Sequence, residues 1–279
     1  MPTQYEIGVI GAGNAAEGII HGVLRGSVLL DDRIIAADPV PARREVFERR
    51  FGVATTDDNR HLVRESYILL LAVEPQIWRE VVEAFADLVH RGHLIVSIMA
   101  GVSTGALEAA FPPQVEARVV RTMPNLASHV GAGMAGVCPG RYASEADVLR
   151  AQRIFEAGGK SVHIEDEALM DAVTAVSGTG PAYYYFFTEA LVEAGLRIGL
   201  SPPDANLLAK QTASGAARMM LESGEMPARL REKVTSPSGT TAAAMASLCE
   251  NEVFEKIVAG VVAAYERSRE LGSATPEDI

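Results

Sequence analysis

Three segments of this 279-residue chain combine residue types and spacings that can do chemistry. Gly11-Ala12-Gly13-Asn14-Ala15-Ala16 follows an apolar run, Ile7 to Ile10, and opens a helical pattern that puts Ile19, Ile20, Val23 and Leu24 on one face. In that context the glycine spacing is a dinucleotide turn. Gly11 permits the reversal, Gly13 lets the backbone approach a pyrophosphate, and the small Ala16 lets the helix sit close to the strand. Free N–H groups at the helix start then face the anion. Asp38 ends a second strand pattern 27 residues after Gly11. Its carboxylate can accept from both adenosine ribose hydroxyls and would repel a 2′-phosphate, which favours NADH over NADPH. Arg43 and Arg44, one turn into the next helix, read either as phosphate contacts or as a solvated face.

The second segment, Thr235-Ser236-Pro237-Ser238-Gly239-Thr240-Thr241, carries five hydroxyls in seven residues before an alanine-rich helical pattern. It would offer N–H and O–H donors to a carboxylate without any cation, and taken alone it reads equally as a heavily capped helix. The third, Ala175-Val-Ser-Gly-Thr-Gly-Pro-Ala-Tyr183, sets two glycines and a proline before an aromatic helix start.

The elements that must position these segments change character along the chain. Strand patterns at Tyr5–Ile10, Arg33–Ala37, Tyr67–Val73, His93–Ser97, Arg118–Thr122 and Met134–Cys138 alternate with helical ones, including Pro75–Val89. Such alternation marks parallel βαβ units, and the near-continuous apolar run Tyr67–Val73 predicts a central strand covered on both faces. From about Glu165 only helical patterns remain: Leu169–Val176, Ala182–Ile198, Pro203–Ser223 and Val253–Leu271, punctuated by glycines and prolines. The expected fold is α/β followed by an all-α part, with domains at 1–164 and 165–279.

Composition narrows the partners. Twenty-five Lys and Arg against 36 Asp and Glu give a net charge of −11, with no polybasic block, so neither nucleic acid nor an anionic membrane is expected. Cys138 and Cys249 are too few for a disulfide framework, and no secretory signal opens the chain, so a cytoplasmic location is expected. Ala172–Thr188 is too short and too broken by Gly178, Gly180 and Pro181 to span a membrane, and reads as the buried start of a helix. His90 and His93 have no neighbouring ligands at metal spacing; they read as a solvated loop, and no metal is expected. Trp78 reads as packing its helix onto the sheet, Tyr183 to Phe187 as core or subunit interface, His129 as a loop residue, and Glu225, Arg229, Arg231 and Lys233 as solvated surface.

With Val120-Arg-Thr-Met-Pro-Asn125, the Ser-Gly-x-Gly-Pro-Ala and Ser-Pro-x-Gly-x-Thr blocks make the chain resemble the pyrroline-5-carboxylate reductase family from the Gly11 turn to about Leu271. The resemblance implies an N-terminal Rossmann-type doubly wound sheet, a C-terminal helical dimerisation domain, a homodimer that can assemble into a decamer, and reduction of a cyclic imino acid by NAD(P)H. Carried over by position, it assigns Gly11, Ala12, Gly13, Asn14 and Ala15 to the pyrophosphate, and Asp38 and Asn59 to the adenosine. Ala72, Val73, Glu74, Pro75, Ala100 and Gly101 fall along the nicotinamide half, with Met123, Pro124 and Asn125 near its ring. Ser236 and the N–H groups of Gly239 and Thr240 resemble the substrate carboxylate cradle, and Thr241 the threonine that bonds the ring nitrogen.

Some positions depart from the family pattern. Glu74 replaces the usual lysine, Ser238 a glycine, Leu126-Ala127 the usual Thr-Pro, and Met245 and Cys249 also differ. Two alternatives therefore stand beside the reductase: a related cyclic-imine or ketimine reductase, and a non-catalytic NAD(P)-binding sensor.

Overall fold

The computed structural model describes residues 3–273. Its chain order is β1 (Tyr5–Ile10), α1 (Asn14–Arg25), β2 (Ile34–Ala37), α2 (Pro41–Phe51), β3 (Ala54–Thr56), α3 (Asn59–Glu65), β4 (Ser66–Leu71), α4 (Trp78–Glu83), β5 (Leu94–Ser97), α5 (Thr104–Glu108), β6 (Arg118–Pro124), β7 (Gly133–Pro139), α6 (Glu145–Glu156), β8 (Gly159–His163) and α7 (Met170–Val173). Then follow α8 (Gly180–Arg197), α9 (Pro202–Ser223), α10 (Pro227–Lys233), α11 (Thr240–Glu250) and α12 (Val253–Ser273). Two compact units result: residues 1–179 with 264–279, and residues 180–263. Segment 165–179 thus packs with the first unit, beyond the limit of 164 expected from the change to helical patterns. The reason is local: Met170 is buried with Met123 and Cys138 of the sheet.

In the first unit the eight strands run β3-β2-β1-β4-β5-β6-β7-β8, parallel except for the antiparallel β6–β7 pair. Helices cover both faces. Ile7, Val9, Ile68 and Leu70 face α1, α2 and α6, where Ile20, Phe47 and Phe155 lie; Ile10, Leu69 and Leu71 face Leu62, Trp78, Val82 and Phe85. Burial on both sides is why β4 is apolar at nearly every position; each such side chain contributes about 1.5–3 kcal/mol relative to exposure. Short β3 and edge strand β8 carry Thr, Ser, Lys and His, and their weak apolar pattern gave no strand signal in the sequence.

Several expectations are corrected. The helix expected over Pro75–Val89 is only α4 plus a single turn, Ala86–Leu88. Helical pattern Leu169–Val176 breaks at Thr174 into a π-helical turn, Thr174–Gly178. His93 is buried rather than solvated: its Nδ1 accepts from the His90 N–H at 3.1 Å, its Nε2 lies 3.2 Å from the Val63 carbonyl, and the two imidazoles stack at 3.9 Å. Burial, together with His90 and Arg118, pushes the His93 pKa down to about 4.

The second unit has few interior side chains of its own. Within 180–263 the buried residues are Gly180, Gly195, Ala205 and Ala209, at the close approach of α8 and α9. Tyr184, Tyr185, Phe186, Leu207, Met219, Leu221 and Phe254 are all more than half exposed. The buried helix start expected at Ala172–Thr188 therefore holds only at Thr174, Ala175 and Gly180; Val176, Tyr184, Tyr185, Phe186 and Phe187 are exposed. No helix of the described residues is long and apolar enough to cross a membrane.

Candidate active site

The carboxyl ends of β1, β2 and β4 lie on one edge of the sheet, where strand order reverses between β1 and β4. In a doubly wound sheet this is where a dinucleotide binds. A cavity of about 470 Å³ opens there, lined by Gly11, Gly13, Asp38, Arg43, Asn59, Ala72, Val73 and Glu74. Gly11 has φ +97, and a Cβ there would stand 2.7 Å from the Ala72 carbonyl oxygen, so the turn admits only glycine. At Gly13 a Cβ would meet nothing within 4 Å. That open side faces the start of α1, whose first-turn N–H groups have no intrahelical acceptor and no side-chain cap. A pyrophosphate fits this arrangement.

Asp38 is fixed by two backbone donors: Oδ2 accepts from the Ala12 N–H at 3.0 Å and Oδ1 from the Val40 N–H at 2.9 Å. This corrects the assignment of Ala12, which is buried and gives its N–H to Asp38 rather than to a phosphate. Both guanidinium groups nearby also have partners within the chain. Arg43 Nη1 donates to Asn14 Oδ1 at 3.1 Å, and Arg44 Nη1 to the Asp38 and Pro39 carbonyls at 2.6 and 3.2 Å.

A second pocket of about 150 Å³ brings together Ala15, Pro124, Asn125, His129 and Gly178. Asn125 builds it. Its Oδ1 accepts from Ala127 and Met134 N–H groups at 3.3 and 3.2 Å, while its Nδ2 donates to the Ser177 carbonyl at 3.1 Å, tying the end of β6 to the π-helical turn. His129, a loop residue, sits with Nε2 3.2 Å from the Asn14 carbonyl and so closes over the α1 start. Met123 lies beneath, buried with Cys138, whose thiol burial pushes up to about 11. Such a thiol stays protonated at neutral pH. Pro75, directly after Glu74 of the first cavity, lines a further pocket with Gly101, Trp78 and Leu271.

In the second unit, Ser236 to Thr241 form the turn into α11. Ser238 has φ 58, and Gly239 is the helix N-cap with no side-chain hydrogen bond. No described residue shares a hydrogen bond with the Ser236, Ser238, Thr240 or Thr241 hydroxyls. The heavily capped helix is therefore not what forms: this helix start is open, with uncommitted O–H and N–H donors. One member differs from expectation. The Gly239 N–H donates to the Ser236 carbonyl at 3.1 Å, which closes the turn instead of facing outward.

A buried arginine with two half-buried carboxylate partners leaves little trace in the sequence. Arg121, 4% exposed on β6, contacts Glu167 at 3.3 Å and Asp171 at 3.2 Å. An arginine inside a strand pattern was the available signal, but its partners lie 46 and 50 positions away. Among the described residues no group of three or more His, Cys, Asp or Glu is placed to hold a metal ion.

Residues 167–271 match the family described as pyrroline-5-carboxylate reductase dimerisation, and residues 6–101 the one described as NADP oxidoreductase, coenzyme F420-dependent. A pyrroline-5-carboxylate reductase from Synechocystis sp. is 39% identical over 269 residues, 96% of this chain and 99% of its own. Among solved structures, a pyrroline-5-carboxylate reductase from Coxiella burnetii superposes with TM-score 0.88 at 33% identity, covering 98% of this chain and 100% of that one. The Plasmodium falciparum pyrroline carboxylate reductase with NADP bound gives TM-score 0.87 at 29% identity, covering 97% and 100%. With the dinucleotide turn, the Asn125 bridge and the open start of α11 in place, likeness over nearly the whole length shows that the chain belongs to the pyrroline-5-carboxylate reductase family.

Proposed function

We propose that this protein reduces the C=N bond of L-1-pyrroline-5-carboxylate to L-proline with NAD(P)H, the last step of proline biosynthesis. The observation that carries the reading is the open start of α11, whose hydroxyls and N–H groups are not consumed by capping. When bound, the reduced nicotinamide supplies the hydride. Gly11, Gly13, Asn14 and Ala15 hold the pyrophosphate, and Asp38 and Asn59 the adenosine. Ala72 to Pro75, Ala100 and Gly101 with Met123 to Asn125 frame the nicotinamide half. Ser236 and the Thr240 N–H hold the substrate carboxylate, and the Thr241 hydroxyl orients the ring nitrogen or relays its proton. A protonated imine already carries the charge that a general acid would supply, so no dedicated acid is needed.

NADH is the preferred donor on this reading, because Asp38 is held in place and the Arg43 and Arg44 guanidinium groups already have acceptors in the chain. The first unit serves as the dinucleotide-binding part, and the helices that follow it as the dimerisation and substrate-binding part. The working form is a cytoplasmic homodimer, with a decamer as its higher assembly. Dimerisation is supported by the apolar side chains that 180–263 leaves exposed. Steady-state rates on a panel of cyclic imines with NADH and NADPH test the reading. Pyrroline-5-carboxylate with NADH should give the highest kcat/KM; equal turnover of an imine lacking the carboxylate removes the cradle from the mechanism, and NADH binding without imine-dependent oxidation makes the protein a sensor.

A further inference from the structure

We infer that Arg121 is a positioning residue that sets the nicotinamide half of the cofactor site, an inference resting on the assignment of that half given above. The cluster around it joins four separate stretches of the first unit. Its Nη1 contacts Glu167 Oε1 at 3.3 Å, and Glu167 in turn accepts from the Thr104 N–H at 2.7 Å and from Thr104 Oγ1 at 2.6 Å. Its Nη2 contacts Asp171 Oδ1 at 3.2 Å, and the same oxygen accepts from Ser268 Oγ of α12 at 2.8 Å. Arg121 Nε is buried without a hydrogen-bond partner, so the two carboxylates are what compensate this charge.

Each stretch leads within a few residues to a segment assigned to the nicotinamide. Arg121 precedes Met123 and Pro124 on the same strand, and Asn125 follows directly after it. Thr104 follows Ala100 and Gly101, and Asp171 stands one turn before the π-helical segment whose Ser177 is bonded by Asn125. Ser268 lies one turn before Gly272, and there the helix meets the Gly101 loop backbone to backbone. A Cβ on Gly101 (φ +72) would stand 2.8 Å from the Gly272 nitrogen, and one on Gly272 2.7 Å from the Gly101 oxygen. A planar, doubly engaged guanidinium can hold two carboxylates in fixed directions, which an ammonium cannot. The adenosine-side segments, Gly11–Gly13 and Asp38–Val40, have no bond to the cluster.

The test separates the two halves of the cofactor. Arg121→Lys keeps the buried charge, and Ser268→Ala removes one bond to Asp171 in case the first variant folds poorly. Affinities for NADH and for ADP-ribose, which lacks the nicotinamide ring, are measured on each purified full-length protein by fluorescence and calorimetry. The expected result is a ratio of NADH to ADP-ribose affinity at least several-fold below that of the unmodified protein in Arg121→Lys, with a smaller drop in the same direction in Ser268→Ala. A kcat loss on the order of 10- to 100-fold should accompany it in Arg121→Lys, as for a reacting group displaced by about 1 Å. An unchanged ratio overturns the inference, whether both affinities hold or both fall together. The binding ratio needs no turnover, so absence of imine reduction in the unmodified protein would sink the reaction assigned above and leave this result readable.

Discussion

Thr241 stands at the second position of α11 with a hydroxyl that no described residue engages, and the bonding it has to offer is therefore available to a ligand. A hydrogen bond to a charged partner is worth about 1.5–3 kcal/mol, so Thr241→Ala should lower kcat/KM for the imine about 10- to 100-fold, with Thr241→Ser close to the unmodified rate. NADH affinity, measured directly, should hardly move; unchanged kinetics would remove Thr241 from the chemistry. Ser238 gives the opposite kind of expectation. Its φ of 58 places a Cβ in the left-handed region. That conformation costs about 1–2 kcal/mol, of which glycine's greater unfolded freedom takes back about 0.4–1, so Ser238→Gly should raise the unfolding free energy by roughly 0.5–1 kcal/mol in urea titrations. Asp38→Ser should shift the kcat/KM ratio toward NADPH; a ratio that stays put would mean that the adenosine end is read by other groups.

At the scale of elements, His93 links the turn before β5 to the end of α3 through the Val63 carbonyl. With Nδ1 accepting from the His90 N–H, the proton must sit on Nε2, so the folded state wants a neutral ring. Its folded pKa of about 4 lies below the ordinary 6.5, and between these values the unfolded chain binds more protons than the folded one. Stability therefore falls as pH drops from 6.5 toward 4. The urea midpoint should decline over that window in the unmodified protein, and the decline should be shallower in His93→Gln, which keeps a donor for Val63 and does not titrate. Parallel slopes would place the acid sensitivity elsewhere. The sequence showed two histidines near each other but not that the crossover from α3 would bury one of them.

On the scale of the molecule, the question is what covers α8 and α9. Phe186 is 74% exposed in the single chain. An exposed position of a monomer tolerates substitution within about 0.5 kcal/mol, whereas an interface aromatic does not. Phe186→Asp should therefore drop the light-scattering mass from at least twice 29.7 kDa toward that single-chain value, or cause aggregation, with a lower Tm. An unchanged mass and Tm would assign that face to solvent. Aromatic residues opening a helix read as core or interface in the sequence; the structure shows that they are not the core of their own unit, because that unit encloses only small side chains between its two long helices.

What the sequence determined by itself is what depends on near neighbours along the chain. The Gly11 turn, the doubly buried β4, the change to helices after Glu165 and the hydroxyl-rich start of α11 all follow from periodicity, φ requirements and capping chemistry within a few residues. Tertiary structure decided which of those groups remain free to act. Ala12 and Gly239 looked like ligand donors until the fold and the turn gave their N–H groups to Asp38 and Ser236. The cluster of Arg121 with Glu167, Asp171 and Ser268 exists only because packing brings together bonded pairs 46, 50 and 97 positions apart. Hydrogen bonds act over a few ångströms and Coulomb attraction weakens with separation, and distance in space is what spacing along a chain does not encode.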